Sequence, residues 1–209
     1  MDIPLKQKKK FLIQHLISSG YLKTKKVIQA FEEIPRENFV PHDYHDHAYA
    51  DEPLPIGGGQ TISAPHMVAV MTELLEPKKT DEVLEVGAGS GYQAAILSKL
   101  VKKVFTIEFD KNIAKRAELN LCSTGINNVE IMTGDGSKGY EKQAPFDKTI
   151  VTCACQEIPR ALIVQLKEGG RIVIPVGGQW YQELVLGVKK KGRLETSMHG
   201  GCVFVPLRH

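Results

Sequence analysis

The sequence predicts an α/β fold built on a mostly parallel sheet, with a helical extension before it and antiparallel strands after it. Three observations carry that prediction. Between residues 81 and 176, short and nearly all-apolar strands alternate with helical stretches, the pattern of a parallel sheet covered on both faces. The first strand runs into GAGSG at residues 87–91 and then into a helix, a loop type whose glycines let the backbone approach a ligand. The last segments, QELVLGVKKKGRLETSM and CVFVPL, read as two strands around a Lys-Gly turn and one strand more. They suit antiparallel addition at one sheet edge.

Taken in order, residues 5–19 read as a helix stopped by Gly20. Its apolar side is Leu5, Leu12, Ile13 and Leu16, and Lys6, Lys8, Lys9 and Lys10 form its solvated face. A second helix begins after Thr24 as N-cap and ends before Pro35. Residues 35–62, rich in Pro, Gly, His and Asp, read as irregular. Ser63 then reads as the N-cap of a helix starting at Ala64, with Pro65 in its first turn and Pro77 beyond its end. The strands DEVLEV, KVFTIE, NVEIMT, FDKTIVT and GRIVIPV follow, with helices YQAAILSKLV, DKNIAKRAELNLCSTG and RALIVQLKEGG among them. Residues 1–79 are thus expected as a helical segment, on the substrate side if the chain is an enzyme, packed on a core of residues 80–209 in one domain overall.

Composition narrows the function classes. Hydrophobic residues at 42% and charged residues at 24% describe an ordinary soluble globular protein. No apolar run approaches the roughly 18 residues that span a bilayer. The lysine-bearing N-terminus has no apolar stretch of the signal-peptide kind, so a cytoplasmic protein that engages no membrane is expected. A net charge of +3 is too weak to indicate nucleic acid, and a monomer is expected. Cys122, Cys153, Cys155 and Cys202 lack zinc-like spacing and read as small buried hydrophobes in a reducing compartment. His42, His45 and His47 imply no distant ligand and read as a solvated loop, so no metal is expected.

Two glycine-rich stretches compete for a cofactor, IGGGQTISAPH at residues 56–66 and GAGSG downstream. Gly87, Gly89 and Gly91 give G-x-G-x-G, where a pyrophosphate-binding loop has G-x-G-x-x-G. The second strand ends in Glu108, 21 residues after Gly87, where a carboxylate can accept both ribose hydroxyls of an adenosine. The third ends in GDG, placing Asp135 and Gly136 at the same crevice. There a carboxylate can accept from an exocyclic amine. The upstream stretch is then no phosphate cradle. Its glycines would then serve as a hinge or as backbone open to close approach.

These features at three successive strand ends resemble the S-adenosylmethionine-dependent methyltransferases. The resemblance implies a Rossmann-like fold whose seven-stranded sheet ends in an antiparallel hairpin, with S-adenosylmethionine consumed and S-adenosylhomocysteine produced. Glu85 would lie near the methionine amino group. The place after the fourth strand holds TCACQEIP, not the Asn/Asp-Pro-Pro-aromatic motif of amide and adenine methylation. No cysteine there follows a proline, as base-carbon methylation asks. A carboxylate acceptor is already ionised and nucleophilic at neutral pH, so it needs positioning rather than a general base. GQTISAPH supplies hydrogen-bond donors for that, in Ser63 and a helix N-terminus. A nicotinamide enzyme and a non-catalytic binding module are the rival readings. The first lacks its loop, and the second has no use for an acceptor site.

More specifically, IPRENFVP, AYADEPLPIG, PLPIGGGQTISAPHMVAVM, VLEVGAGSGYQAAIL, GDGSKGY, IPRALIVQLKEGGRIVIPVG and FVPL resemble the protein-L-isoaspartate (D-aspartate) O-methyltransferases. That resemblance implies methylation of the α-carboxylate of isoaspartyl residues in damaged proteins, which initiates their repair. By position, Ser63 would be the active-site residue on the substrate carboxylate. Gln60, Thr61, Ile62 and His66 would border cofactor and substrate. Glu85, Gly87, Gly89, Gly91, Glu108, Asp135 and Gly136 would bind S-adenosylmethionine. The chain departs from the family at Gly58, at CACQ, and at Arg208, where the family usually has Thr.

Overall fold

A computed structural model describes residues 3–208. The sheet that organises the molecule contains β3 (Glu82–Val86), β4 (Lys103–Glu108), β5 (Val129–Thr133), β6 (Phe146–Val151), β7 (Leu166–Gly177), β8 (Gln182–Lys190) and β9 (Arg193–Cys202). Their order is β5-β4-β3-β6-β7-β8-β9. The first five are parallel, and β8 and β9 extend one edge as an antiparallel meander. Strand order reverses between β3 and β6, so their C-terminal ends flank a topological switch point, where α/β folds bind ligands.

Alternation along each strand builds two apolar layers. Val83, Val104, Ile150 and Val173 face one cluster, while Leu84, Phe105, Val151 and Ile172 face the other. The first layer is covered by α1 (Leu5–Ser18), α2 (Lys25–Glu33), α3 (Pro65–Leu75) and α4 (Tyr92–Ser98). The N-terminal segment therefore shares a core with the sheet. Leu162 of the short α6 (Arg160–Val164) belongs to the second layer. The helix α5 (Lys111–Ser123) opens on Asp110, whose carboxylate accepts from the Asn112 and Ile113 amides.

Several local readings change. Lys9 is not simply solvated: its Nζ donates to the Glu32 and Ile34 carbonyls at 2.5 and 3.0 Å, closing the end of α2, and burial lowers its pKa. Thr24 stands at the N-cap of α2, but its hydroxyl donates to Glu73 of α3 instead of bonding its own helix. Residues 35–62 contain 3-10 turns at Arg36–Phe39 and His42–His47, then a hairpin of β1 (Leu54–Gly57) and β2 (Gln60–Ile62). Gly58 and Gly59 have φ of 62° and 71°. Two positive φ values are what a two-residue hairpin turn matched to strand twist requires.

The helix expected over RALIVQLKEGG stops at Val164, because Leu166 is already paired with Phe146 and the Glu-Gly-Gly run bulges β7. CVFVPL adds no strand. Pro206 lacks an N–H to donate, and the segment beyond Cys202 makes only one bridge, at Ala154. Cys122 is exposed, unlike the other three cysteines, because it lies on the outer side of α5. No described helix is long and apolar enough to cross a membrane.

Arg36 joins the N-terminal segment to α4. It is fully buried, donates from Nε to the Ala48 carbonyl at 2.8 Å, and lies 5.0 Å from the Tyr92 ring centroid. Burial pulls its pKa down to about 10, so it remains charged at neutral pH. The π face and the carbonyls replace the water that this cation has lost. Arg36→Ala strands the Ala48 carbonyl and leaves a void. The expected cost is about 3 kcal/mol, read as a lower urea midpoint with little change in slope.

Candidate active site

The switch point opens into a cavity of about 310 Å³. Its floor is the loop after β3. Gly87 has φ of 95°, and a Cβ there would lie 2.6 Å from Thr152 Oγ1, so only glycine keeps this loop against β6. A Cβ on Gly136 would meet Val86 at 2.4 Å. Both backbones form a cradle that side chains would fill.

Glu108 stands at the wall where β4 ends. It is buried, and its carboxylate accepts from Gly89 N at 2.9 Å, Asp110 N at 3.1 Å and Gln60 Nε2 at 3.3 Å. The Gln60 bond is the longest and comes from a side chain, so a ribose hydroxyl can replace it most easily. Gln60, Thr61, Ile62 and Ser63 form the opposite wall, with Met71 of α3 and Gln93 of α4 behind them. Of the residues singled out in the sequence, Gln60, Thr61, Ile62, Ser63, Gly87, Gly89, Glu108 and Gly136 thus come together on one cavity.

Ser63 is not the cap of α3. Pro65 is the first helical residue, and Ala64 before it takes the extended N-cap conformation, leaving Ser63 one position outside. A residue preceding proline is driven from helical geometry, so the cap falls on Ala64. The helix N-terminus is also less bare than expected. Pro65 has no N–H, and the His66 amide donates to Asp51 Oδ1 at 2.8 Å. Ser63, free of capping duty, lines the cavity beside Gln60 and Thr61.

Four expected site residues lie behind the cavity surface instead of on it. His66 Nδ1 sits 3.0 Å from Asp51 Oδ1, and its ring lies 5.4 Å from Tyr21, because the first turn of α3 aims it at the 51–52 loop. Gly91 is the left-handed N-cap of α4 and packs on Ala117 and Leu121 of α5. Asp135 accepts from Ser137 N at 3.0 Å and Ser137 Oγ at 2.6 Å, while its neighbours Gly134 and Gly136 line the wall. Glu85 is fully buried on the sheet face of Val83, under α3 and α4, and neither carboxylate oxygen has a hydrogen-bond partner. Burial pushes its pKa up to about 8, against a smaller contribution from Thr106. An orphaned carboxyl beneath the glycine loop suits an ammonium group arriving from the cavity.

The sequence also gave too little weight to other wall residues. Thr152, Phe109 and the tail Val205–Arg208 line the cavity. Ala154 pins the tail, donating to Val205 O at 2.8 Å and accepting from Leu207 N at 2.9 Å. The only textual signal was FVPL, which carries no periodicity. Cys153 lines the cavity as well, and its hydrogen bond with Cys155, together with burial, raises its pKa well above the ordinary thiol value. A thiol so held is a poor nucleophile. Among the described residues, no group of three His, Cys, Asp or Glu is placed to hold a metal ion.

Comparison with known proteins agrees with this geometry. The model of the family described as protein-L-isoaspartate(D-aspartate) O-methyltransferase matches residues 6–209. A protein-L-isoaspartate O-methyltransferase of Ignicoccus hospitalis is 53% identical over 207 residues, covering 97% of this chain and 98% of its own. One of Methanopyrus kandleri is 50% identical over 201 residues, covering 94% of this chain and 89% of its own. A crystal structure of a putative protein-L-isoaspartate O-methyltransferase from Plasmodium falciparum, in complex with S-adenosyl-L-homocysteine, superposes with a TM-score of 0.85. It is 25% identical and covers 95% of this chain and 97% of that one. A fold with the nucleoside cradle at its switch point, and a match running through both the QTIS wall and the tail, lead to one conclusion: the chain belongs to the protein-L-isoaspartate(D-aspartate) O-methyltransferase family.

Proposed function

We propose that this chain transfers a methyl group from S-adenosylmethionine to the free α-carboxylate of isoaspartyl residues in damaged proteins, initiating their repair. The observation that carries the reading is the family match over residues 6–209, which takes in both the Gln60–Ser63 wall and the glycine loop opposite it. Bound on that loop, S-adenosylmethionine supplies an electrophilic methyl group on a sulfonium.

The protein's own residues then bind and orient. Gly87, Gly89 and Gly136 admit the nucleoside, Glu108 accepts its ribose hydroxyls, and Asp135 serves the base side. Glu85 balances the amino group from below. Gly91 and His66 act from behind, keeping α4 and α3 in place. Thr61 and Ile62 shape the wall, and Ser63 donates a hydrogen bond to the acceptor carboxylate. No general base is required, because the acceptor is an anion at neutral pH. The acceptor oxygen bonds to the methyl carbon as the carbon–sulfur bond breaks with its electron pair left on sulfur. A carboxylate anion and a sulfonium cation become a neutral ester and a neutral thioether, and no proton moves. Proximity and exclusion of water are the enzyme's contribution.

Residues 1–79 serve in this reading as the substrate-side segment and residues 80–209 as the cofactor side. The acceptor is protein, with neither nucleic acid nor a membrane engaged. The free thiols of Cys153 and Cys155, two residues apart, suit the reducing cytoplasm.

Labelled methyl from S-adenosylmethionine is expected on an isoaspartyl peptide and not on its aspartyl twin; label on neither, or equally on both, overturns the reading. Ser63→Ala is expected to lower kcat/KM roughly 10- to 100-fold, the worth of a hydrogen bond to a charged group. Because Ser63 caps no helix, thermal unfolding should shift by less than about 0.5 kcal/mol. Glu85 supplies a pH test. Its folded pKa of about 8 lies above the ordinary 4.5, so the ligand-free folded state holds an extra proton between those values. The Glu85 contribution to stability should therefore fall as pH rises through that window, and Glu85→Gln should make the slope shallower by that contribution. Binding of S-adenosylhomocysteine near pH 7 should release a proton, seen as a buffer-dependent calorimetric heat that the same variant lacks.

A further inference from the structure

We propose that Arg208 recognises the charge of the isoaspartyl carboxylate and loses its hold when methylation removes that charge. The inference rests on the functional reading above and adds to it a residue that sets selection of substrate over product. Among the described residues, Glu108 and Arg208 are the only charged side chains on the cavity wall. Glu108 accepts from Gly89, Asp110 and Gln60, and an anion repels an anionic acceptor. Among the described residues, Arg208 is the one cation on this wall, and the acceptor is a carboxylate.

Its placement is fixed by its neighbours. The tail is tied on both sides of Pro206, by Ala154 N to Val205 O and by Leu207 N to Ala154 O. Upstream, Phe204 N donates to Gln182 Oε1 at 2.8 Å. Arg208 follows directly, exposed, and donates from Nη2 to the Gly58 carbonyl at 3.3 Å. That bond leads it to the turn of the β1–β2 hairpin, whose second strand runs into Ser63. A guanidinium carries five N–H donors in a planar fork, so one bond to Gly58 leaves a free edge for a carboxylate.

The energetics have a definite sign. The acceptor carries a full negative charge in the ground state, less in the transition state, and none in the ester. A cation beside it stabilises the ground state most, the transition state less, and the product not at all. Arg208 therefore lowers KM more than it helps the chemical step, and it lets the neutral ester go. An exposed pair of this kind is worth a few-fold in binding, and salt weakens it.

The test compares wild type, Arg208→Gln and Arg208→Lys with an isoaspartyl peptide and with its synthetic methyl ester as an inhibitor. Arg208→Gln keeps a donor for Gly58 and removes the charge. Its KM for the peptide should rise about three- to fivefold, with kcat unchanged or slightly raised. The ester's inhibition constant and the calorimetric Kd for S-adenosylhomocysteine should stay unchanged. Arg208→Lys should retain most of the wild-type KM, and added salt should raise KM in wild type but not in Arg208→Gln. An unchanged KM in Arg208→Gln overturns the proposal. So does equal weakening of peptide, ester and S-adenosylhomocysteine, which would mark Arg208 as a structural tie to the hairpin. If wild type methylates no isoaspartyl peptide, the functional reading itself fails, an outcome separable from these.

Discussion

The carboxylate of Glu108 is the constraint on which the site depends. One side chain, at the C-terminal end of β4, accepts from the glycine loop through Gly89, from the entry to α5 through Asp110, and from the hairpin through Gln60. It thereby ties the glycine loop to the Gln60–Ser63 wall, which come from different parts of the chain. Burial makes the arrangement stringent, because a carboxylate removed from water must be given its hydrogen bonds by the protein. In the ligand-free fold, loop, helix entry and hairpin supply those bonds together.

A second pair of buried groups behaves differently. Arg36 is charged and largely compensated, by carbonyl oxygens and by the face of Tyr92. Glu85 is uncompensated, and burial holds it protonated well above the ordinary carboxyl range. The first is a fastening between segments. The second is a cost carried by the ligand-free fold at a place where an incoming cation would relieve it. Both sit on or beneath α4, so the helix that follows the glycine loop is clamped from outside and left electrostatically incomplete from within.

Much of this was legible in the sequence because period and punctuation carry it. The strands from 82 to 174 are apolar runs bounded by turn residues, and GAGSG with Glu108 marks a switch point by spacing alone. What could not be read depends on partners distant in the chain. Ser63 looked like a cap until proline geometry placed the cap on Ala64. Asp51, which satisfies the amide and ring of His66, lies 15 residues upstream in a stretch with no pattern. The strand character of Leu166–Gly177 comes from pairing with β6 on one side and β8 on the other, overriding the helical look of RALIVQLKEGG. Residues 203–208 have no period to detect, since each is held by a contact to another part of the molecule.

The simple meander of β7, β8 and β9 has a consequence for when the site comes into being. Because β9 ends at the same edge that β7 leaves, the tail re-enters the cavity wall, and Arg208 meets Gly58 across 150 residues of chain. Contacts of such sequence separation form late, since the intervening chain must first be ordered. A chain lacking the tail would keep the glycine loop but lose the Val205–Arg208 part of the wall. The wall of the cavity is therefore complete only when the strands β7, β8 and β9 have brought residues 205–208 back to it.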